Sequence, residues 1–202
     1  MPSANDKRLW SASGPGFSSA TDDWATPPHV FEALDAAFDF TLDACASAKN
    51  AKCDRYFDVD ADGLSQRWAP ERTWLNPPYG RVIGRWLEKA ARESRYCLIV
   101  CLVPARTDTR WWHEWVMPHA SEIALVRGRL KFGAGTASAP FPSAVVVYGP
   151  SRGRPLFRGW DPAEPFRPDD LTWSPENSMK SSRRPSVVAC RRSNSIKAGS
   201  AR

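Results

Sequence analysis

The chain has 202 residues, a formal net charge of +6 and 42% hydrophobic residues. This length suffices for one domain with a hydrophobic core plus additional segments. No stretch approaches the roughly 18 consecutive apolar residues of a transmembrane helix, and the Ser/Gly-rich start of the sequence lacks the apolar core of a signal peptide. We therefore expect a soluble, cytoplasmic protein with no membrane partner.

The excess positive charge lies in the C-terminal part of the sequence. Residues 1–150 carry 17 Lys and Arg against 17 Asp and Glu, whereas residues 151–202 carry 11 against 5. The segment 151–202 is rich in Ser, Arg and Pro and poor in aliphatic residues, which predicts a disordered tail. The tail could bind phosphates non-specifically, or it could be a solubilising extension, and the sequence leaves both readings open.

The cysteine pattern gives no indication of disulfides or of a metal site. The five cysteines are odd in number, scattered and without a CxxC pair: Cys45, Cys53, Cys97, Cys101 and Cys190. We expect buried, reduced thiols. The cysteines and the three histidines show no metal-ligand spacing, so no metal is expected.

The first half of the sequence predicts a helix followed by a short strand. After a flexible lead-in (1–21), "ATPPHVFEALDAAF" (25–38) has apolar residues at helical spacing. Thr26 is the expected N-cap, with Pro27 in the first turn. The segment 38–46 then predicts a buried strand that ends at Asp43, and a mixed polar stretch with a turn follows.

From residue 73 to residue 149, strands and helices alternate. The expected elements are a strand at 73–76, a helix at 81–94, a strand at 96–103, a helix at 108–117, a strand at 122–126, and a hairpin of 128–132 with 143–149. This order predicts an α/β domain (22–150) with a mostly parallel sheet, helices on both faces and an antiparallel terminal hairpin. Ligands of such sheets bind beyond the carboxyl ends of the strands, so Asp43, Asn76 and residues 104–109 should line one edge.

The stretch "TWLNPPYG" (73–80) is the most informative motif. Two prolines stop the strand and fix the backbone. The Asn76 side-chain oxygen and the Pro77 carbonyl can accept hydrogen bonds from the two hydrogens of a planar NH₂ group, which stabilises positive charge that develops on its nitrogen during methyl transfer. Pro78 adds rigidity, and the Tyr79 ring can stack on a planar substrate. An ordinary turn with a tyrosine over the core is the alternative.

The stretch resembles the Asn/Asp-Pro-Pro-Tyr motif of S-adenosylmethionine-dependent amino-methyltransferases. The sequence is most similar to the phage-type DNA N6-adenine methyltransferases, because further segments match in order: "DDWATPPHVFEAL", "FDFTLDACASAKNAKC", "DGLSQRWAPERTWLNPPYG", "RWLEKAARES", "VPARTDTRWWHE" and "GRLKF…PFPSAVVVY". The resemblance covers residues 22–149. It implies a Rossmann-like methyltransferase fold whose reversed strand supplies the terminal hairpin.

The resemblance also implies a site for S-adenosylmethionine. The expected cofactor-binding residues are Thr26, Pro27, Asp43, Ala44 and Cys45. The glycine-rich FxGxG pattern of many methyltransferases is absent, and small residues follow Asp43 instead. The acidic residue that would bind the ribose is left open among Asp58, Asp60 and Asp62.

The segment "PARTDTRWWHE" (104–114) supplies the candidates for substrate binding. Arg106 could contact a phosphate, and Trp111 or Trp112 could pack beside an extruded base. The alternative is a capped helix with its tryptophans in the core.

The sequence thus predicts a DNA adenine-N6 methyltransferase. Two alternatives stay open at this point. One is a methyltransferase that acts on RNA adenine or on a protein glutamine amide, because the same motif serves any planar NH₂ group. The other is a non-catalytic nucleic-acid-binding protein with a degenerate methyltransferase fold.

Overall fold

A computed structural model describes residues 25–133, 138–149 and 154–168 of the chain. The predicted lead-in and the part of the predicted tail beyond residue 168 lie outside the described residues. Within these three ranges, no helix has the length and apolar character needed to cross a membrane.

The described residues form a six-stranded mixed sheet in the order β1-β2-β3-β5-β4-β6. Its strands are β1 (Leu42–Asp43), β2 (Thr73–Leu75), β3 (Ile99–Pro104), β4 (Glu122–Val126), β5 (Ser143–Tyr148) and β6 (Leu156–Trp160). The pairs β1–β2, β2–β3 and β4–β6 are parallel, whereas β5 is antiparallel to both β3 and β4. The architecture is therefore α/β and compatible with a Rossmann-like fold.

Helix α1 (Pro28–Phe38) and helix α2 (Ile83–Glu93) confirm the two best-defined helices of the sequence pattern. The N-cap prediction for Thr26 is wrong, because Pro27 occupies the cap position and no side chain caps the helix. The third predicted helix exists as a helical segment that is wound as a π-helical turn over Trp112–Val116. The strand predicted at 38–46 is limited to the two residues of β1.

The predicted hairpin of residues 128–132 with residues 143–149 is wrong. Residues 128–132 form no strand, and their contact with the following loop includes one backbone hydrogen bond, from Ala139 to the Leu130 carbonyl. The partners of β5 are β3 and β4, so the antiparallel strand lies inside the sheet instead of at its edge. Four consecutive residues of β4 pair with β5, and three of them are buried, whereas only Leu130 and Phe132 are buried in the segment 128–132.

Strand β6 extends the sheet beyond residue 150, where the sequence placed the end of the methyltransferase domain. It hydrogen-bonds to β4 in parallel register, from Leu156 opposite Glu122 to Trp160 opposite Val126. Residues 154–168 therefore pack with the sheet, although they fall within the predicted tail.

The core consists of two hydrophobic clusters that take alternate residues of the central strands. On β3, Ile99, Cys101 and Val103 belong to the cluster that contains α2 and the π-helical turn. Val100 and Leu102 belong to the cluster that contains α1. All six residues of β3 are buried, as expected for a strand whose side chains are covered on both faces of a sheet.

Candidate active site

The parallel pairing of β1, β2 and β3 brings their carboxyl ends to one edge of the sheet. Asp43 lies at the end of β1, Asn76 directly follows β2, and Arg106 follows β3 by two residues. The sequence-based expectation that these three segments share an edge is therefore confirmed.

The Asn76 side chain is anchored to a residue from the start of the described chain. Its amide nitrogen Nδ2 donates a hydrogen bond of 3.1 Å to the Thr26 hydroxyl oxygen Oγ1, across 50 positions of sequence. Thr26 is only 4% exposed. The end of β2 and the segment before α1 are thus held together by a side-chain contact in which the amide nitrogen faces Thr26.

The rest of the motif is packed tightly against the sheet. Pro77 and Pro78 are buried, and Tyr79 is half-buried. The Tyr79 hydroxyl donates a 3.3 Å hydrogen bond to the Leu102 carbonyl of β3, and burial raises the pKa of that hydroxyl well above its usual value. Gly80 then takes a positive φ of 152°, a conformation that L side chains rarely adopt, so the motif needs glycine at its end.

Two phenylalanines contact the Tyr79 ring nearly at right angles. The ring centroid of Phe141 lies 5.5 Å from that of Tyr79, and that of Phe132 lies 6.1 Å away. Such edge-to-face arrangements are favourable for aromatic pairs. The Arg106 guanidinium in turn lies 5.9 Å from the Phe141 ring centroid. The Tyr79 ring is therefore held by aromatic neighbours, with an exposed arginine beside them.

The carboxylate of Asp43 organises the loop that follows β1. It accepts backbone hydrogen bonds from Cys45 at 3.3 Å and from Lys52 at 3.1 Å. Asp43 is 2% exposed, and this burial raises its pKa to about 6, against the opposing effect of the two N–H groups and of the Lys52 charge. The loop 43–52 is thus closed by one buried carboxylate that titrates close to neutral pH.

Ala44 and Cys45 follow in a tightly packed turn. The Ala44 N–H donates to the Trp74 carbonyl at 3.0 Å, which ties the loop to β2. Gly63, in the polar stretch before β2, lies so close to the Ala44 carbonyl that a β-carbon there would overlap it. Burial raises the pKa of the Cys45 thiol well above its usual value, which keeps the thiol protonated and unsuited to act as a nucleophile.

Two of the three acidic candidates for ribose binding hold the local turn. The Asp58 carboxylate accepts hydrogen bonds from the N–H groups of Asp60 and Ala61. The Asp62 carboxylate accepts one from Leu64 at 3.2 Å. Asp60 is exposed in the same turn. The turn lies against the Ala44 loop through Gly63.

The two substrate-binding candidates differ in their surroundings. Arg106 is exposed, while Trp111 is half-buried, and its β-carbon would lie 3.4 Å from a β-carbon added at Gly84 of α2. Trp112 is 1% exposed and belongs to the core, so the alternative reading of a core tryptophan is correct for Trp112.

Sequence reasoning missed three residues of this region. Phe132 and Phe141 lie in a segment that was read as a strand and a loop, and only their contacts with Tyr79 reveal their role. Gly63 was read as part of an ordinary turn. Of these three residues, only Phe141 is marked by the sequence, because "PFPS" places this aromatic residue between two prolines directly before β5.

The described residues contain no group of three His, Cys, Asp or Glu side chains that could hold a metal ion. The site is instead defined by an amide, rigid backbone carbonyls, an aromatic ring and a buried carboxylate at the edge of a mixed α/β sheet, as suits group transfer to a planar nitrogen compound.

The chain belongs to the DNA N-6-adenine-methyltransferase (Dam) family, whose model matches residues 17–145. It is 30% identical over 114 residues to the DNA N-6-adenine-methyltransferase of Escherichia phage T1. This alignment covers 54% of this chain and 46% of the phage protein. It is 32% identical over 65 residues to the candidate methyltransferase YfdM of Escherichia coli strain K12. This second alignment covers 29% of this chain and 71% of that protein. The chain thus aligns with about half the length of the phage relative.

Proposed function

We propose that the protein transfers a methyl group from S-adenosylmethionine to the exocyclic N6 of adenine in DNA. Membership of the Dam family supports the reaction class, and the phage T1 relative is named for this reaction. The observation that carries the proposal is the position of Asn76 directly after β2, with its amide nitrogen bonded to Thr26. The proposed fold is the Rossmann-like methyltransferase fold with helices on both faces, in which β5 is the reversed strand.

The proposed methyl donor would lie against the loop after β1. Ala44 and Cys45 are small, which permits close approach of a ligand to their backbone, and Asp43 supplies a buried carboxylate beside them. This donor set fits a ligand that carries a positive sulfonium and ribose hydroxyls. We assign Asp43, Ala44 and Cys45 to the cofactor, together with Thr26 and Pro27 before α1. When bound, S-adenosylmethionine supplies an electrophilic methyl group.

The catalytic role of the motif follows from the electronic structure of adenine. The N6 lone pair is delocalised into the ring, so N6 is a weak nucleophile that carries two donor hydrogens. The Asn76 oxygen and the Pro77 carbonyl would accept these hydrogens and stabilise the positive charge that develops on N6. Pro77 and Pro78 hold the carbonyl in one orientation, so no entropy is lost at each turnover.

Binding of the base would use the Tyr79 ring. Adenine inside a duplex cannot reach a recessed site, so the base must be extruded. Tyr79 makes near-perpendicular ring contacts with Phe132 and Phe141, and the extruded base would stack on its ring. Arg106 is exposed next to this aromatic group and would contact a DNA phosphate, and Trp111 would flank the extruded base.

The experiment that tests the function is methyl transfer in vitro. Purified protein is incubated with S-adenosylmethionine and unmethylated duplex DNA, and the DNA is digested to nucleosides and analysed for N6-methyladenine by mass. Parallel reactions contain RNA or a glutamine-containing protein. Methylation of RNA or protein in place of DNA would overturn the substrate assignment, and no transfer to any of them would favour a binding protein.

The variant pair Asn76→Ala and Asn76→Asp tests the residue assignment. Loss of one transition-state acceptor lowers kcat by about 10²–10³, so Asn76→Ala should be nearly inactive while retaining its thermal unfolding transition. Asn76→Asp keeps an acceptor oxygen, and the Thr26 hydroxyl can rotate to donate to the carboxylate, so this variant should be more active than Asn76→Ala. Gln66→Ala, which removes an amide from the polar turn, is the control. An Asn76→Ala variant with near wild-type kcat would contradict the assignment.

A further inference from the structure

The Thr26 side chain contacts Asn76 and not the start of the following helix. It precedes α1, yet it does not cap that helix. Its hydroxyl instead accepts a hydrogen bond from Asn76 Nδ2 at 3.1 Å. Thr26 is only 4% exposed, so this contact is shielded from water. Hydrogen bonds are stronger in such surroundings than in water.

The two ends of a primary amide have opposite hydrogen-bonding character. The nitrogen carries two donors and the oxygen only accepts, so an Asn side chain that is rotated by half a turn presents the wrong end. For transfer to an NH₂ group, the oxygen must face the substrate. In this structure the Thr26 hydroxyl accepts from the nitrogen, so the nitrogen faces Thr26 and the oxygen points away from it.

We propose that Thr26 is a positioning residue for methyl transfer, whose hydroxyl holds the Asn76 side chain in place at the end of β2 through the hydrogen bond to Nδ2. This inference rests on the proposed function. It assigns to the Thr26 side chain a role in orienting the catalytic amide, beyond the contact with S-adenosylmethionine that the family resemblance implies.

The segment that carries Thr26 is itself held in place. The Ala25 carbonyl accepts a 2.9 Å hydrogen bond from the Gly133 N–H, and Phe132, the residue before Gly133, packs on the Tyr79 ring. Contacts therefore connect Asn76 through Thr26 and the segment at 132–133 back to Tyr79. β-Branched Thr has restricted χ1 freedom, so its hydroxyl is presented to Asn76 in a defined direction.

The test compares Thr26→Val with Thr26→Ser in the full-length protein. Val has the shape of Thr without the hydroxyl, whereas Ser retains the hydroxyl. We expect Thr26→Val to lower kcat at saturating S-adenosylmethionine by roughly tenfold, the upper range for one net hydrogen bond, which is more than the change in the Kd for S-adenosylmethionine. Thr26→Ser should restore most of kcat. An unchanged kcat in Thr26→Val would overturn the proposal, as would a kcat loss accompanied by an equal weakening of S-adenosylmethionine binding.

A second readout does not depend on activity. The side-chain NH₂ resonances of Asn76, assigned by comparison with Asn76→Asp, should shift in Thr26→Val and remain close to wild type in Thr26→Ser. If the wild-type protein methylates no substrate, the proposed function fails, whereas these resonances still decide whether Thr26 holds the amide. Resonances that are the same in wild type and Thr26→Val would refute the contact itself. Should Thr26→Val fail to fold, Thr26→Ala takes its place in both measurements.

Discussion

Gly63 lies against the carbonyl group of Ala44, so that the polar stretch before β2 and the loop after β1 meet without space for a side chain between them. A β-carbon at Gly63 would overlap the Ala44 oxygen and would lie 3.1 Å from Cη2 of the buried Trp86. The backbone of Ala44 cannot retreat freely, because its N–H is bonded to the Trp74 carbonyl. A residue with no chemical role of its own therefore fixes the proposed cofactor loop.

Gly63→Ala should destabilise the protein and weaken its binding of S-adenosylmethionine. Overpacking of this kind costs about 1–3 kcal/mol, which chemical denaturation can measure, and the displaced Ala44 should reduce the thermal stabilisation by saturating ligand. Gly159→Ala is the matched control, because a β-carbon at that exposed site of β6 meets no atom within 4 Å. If S-adenosylmethionine stabilised both variants equally, the Ala44 loop would not contribute to cofactor binding.

The raised pKa of Asp43 predicts a pH-dependent stability difference. Its pKa of about 6 lies well above the ordinary value of an aspartate, so the unfolded chain loses this proton at lower pH than the folded chain does. Deprotonation between pH 4 and pH 7 therefore disfavours the folded state. The free energy of unfolding of Asp43→Asn minus that of wild type should therefore increase as the pH rises through this window.

The measurement is urea denaturation of wild type and Asp43→Asn at several pH values between 4 and 7.5. Asp60→Asn, which removes an exposed carboxylate from the neighbouring turn, controls for the change in net charge. The constant cost of the lost N–H contacts from Cys45 and Lys52 cancels in the pH dependence. A difference that stays flat, or that moves in the opposite direction, would contradict burial as the dominant influence on Asp43.

Substitutions at Tyr79 should separate its ring from its hydroxyl. Tyr79→Phe loses the hydrogen bond to the Leu102 carbonyl, which costs about 1 kcal/mol of stability, but it retains the ring, so kcat/KM for DNA should change little. Tyr79→Ala also loses the stacking surface, worth about 1–3 kcal/mol, so kcat/KM should fall about 10- to 100-fold. Tyr96→Ala, at a tyrosine that is 58% exposed, is the control. Equal activity of the Phe and Ala variants would exclude stacking on this ring.

Truncations should locate the end of the folded unit. A chain that ends at residue 150 loses β6 and with it Arg158, which pairs with the 1%-exposed Glu122. Removing one partner of a buried ion pair costs about 3–5 kcal/mol, and the buried Trp160 and Phe166 are lost as well. We expect this chain to be strongly destabilised, whereas a chain ending at residue 168 should retain the wild-type thermal transition.

The same truncation after residue 168 tests the predicted tail. Residues 169–202 carry seven Lys and Arg against three Asp and Glu. If they bind phosphates, DNA affinity of the shortened chain should be lower and should depend less on salt, by about 0.9 of logarithmic slope for each lost phosphate contact. Identical slopes for the full-length and shortened chains would show that the tail makes no such contacts.

The sequence predicted the features that depend on local pattern. Helical spacing gave α1 and α2, continuous apolar character gave β3 and β4, and the prolines after Leu75 marked the end of β2. Because β1, β2 and β3 are parallel, these boundaries were enough to place Asp43 and Asn76 at the same edge. The neighbours of Asn76 could not be derived, because the contact with Thr26 joins residues that are 50 positions apart.

The errors arose where tertiary packing overrides local pattern. Strand β6 has exposed residues at Leu156 and Phe157 and an interior glycine, so its sequence looks like an irregular tail. Its place in the sheet depends on pairing with β4 and on the contact of Arg158 with Glu122. Likewise, the alternating residues at 128–132 fit a strand pattern, but β5 pairs with β3 over six residues and with β4 over four.

The insertion of β5 between β3 and β4 has a consequence for synthesis of the chain. Both neighbours precede β5 in the sequence, so each leaves the ribosome with an unpaired edge that only Ser143–Tyr148 can cover. Every residue of β3 is buried in the finished sheet, and exposed apolar strand edges are templates for aggregation. These two edges therefore stay open to pairing with other chains until β5 has been synthesised and has entered between them.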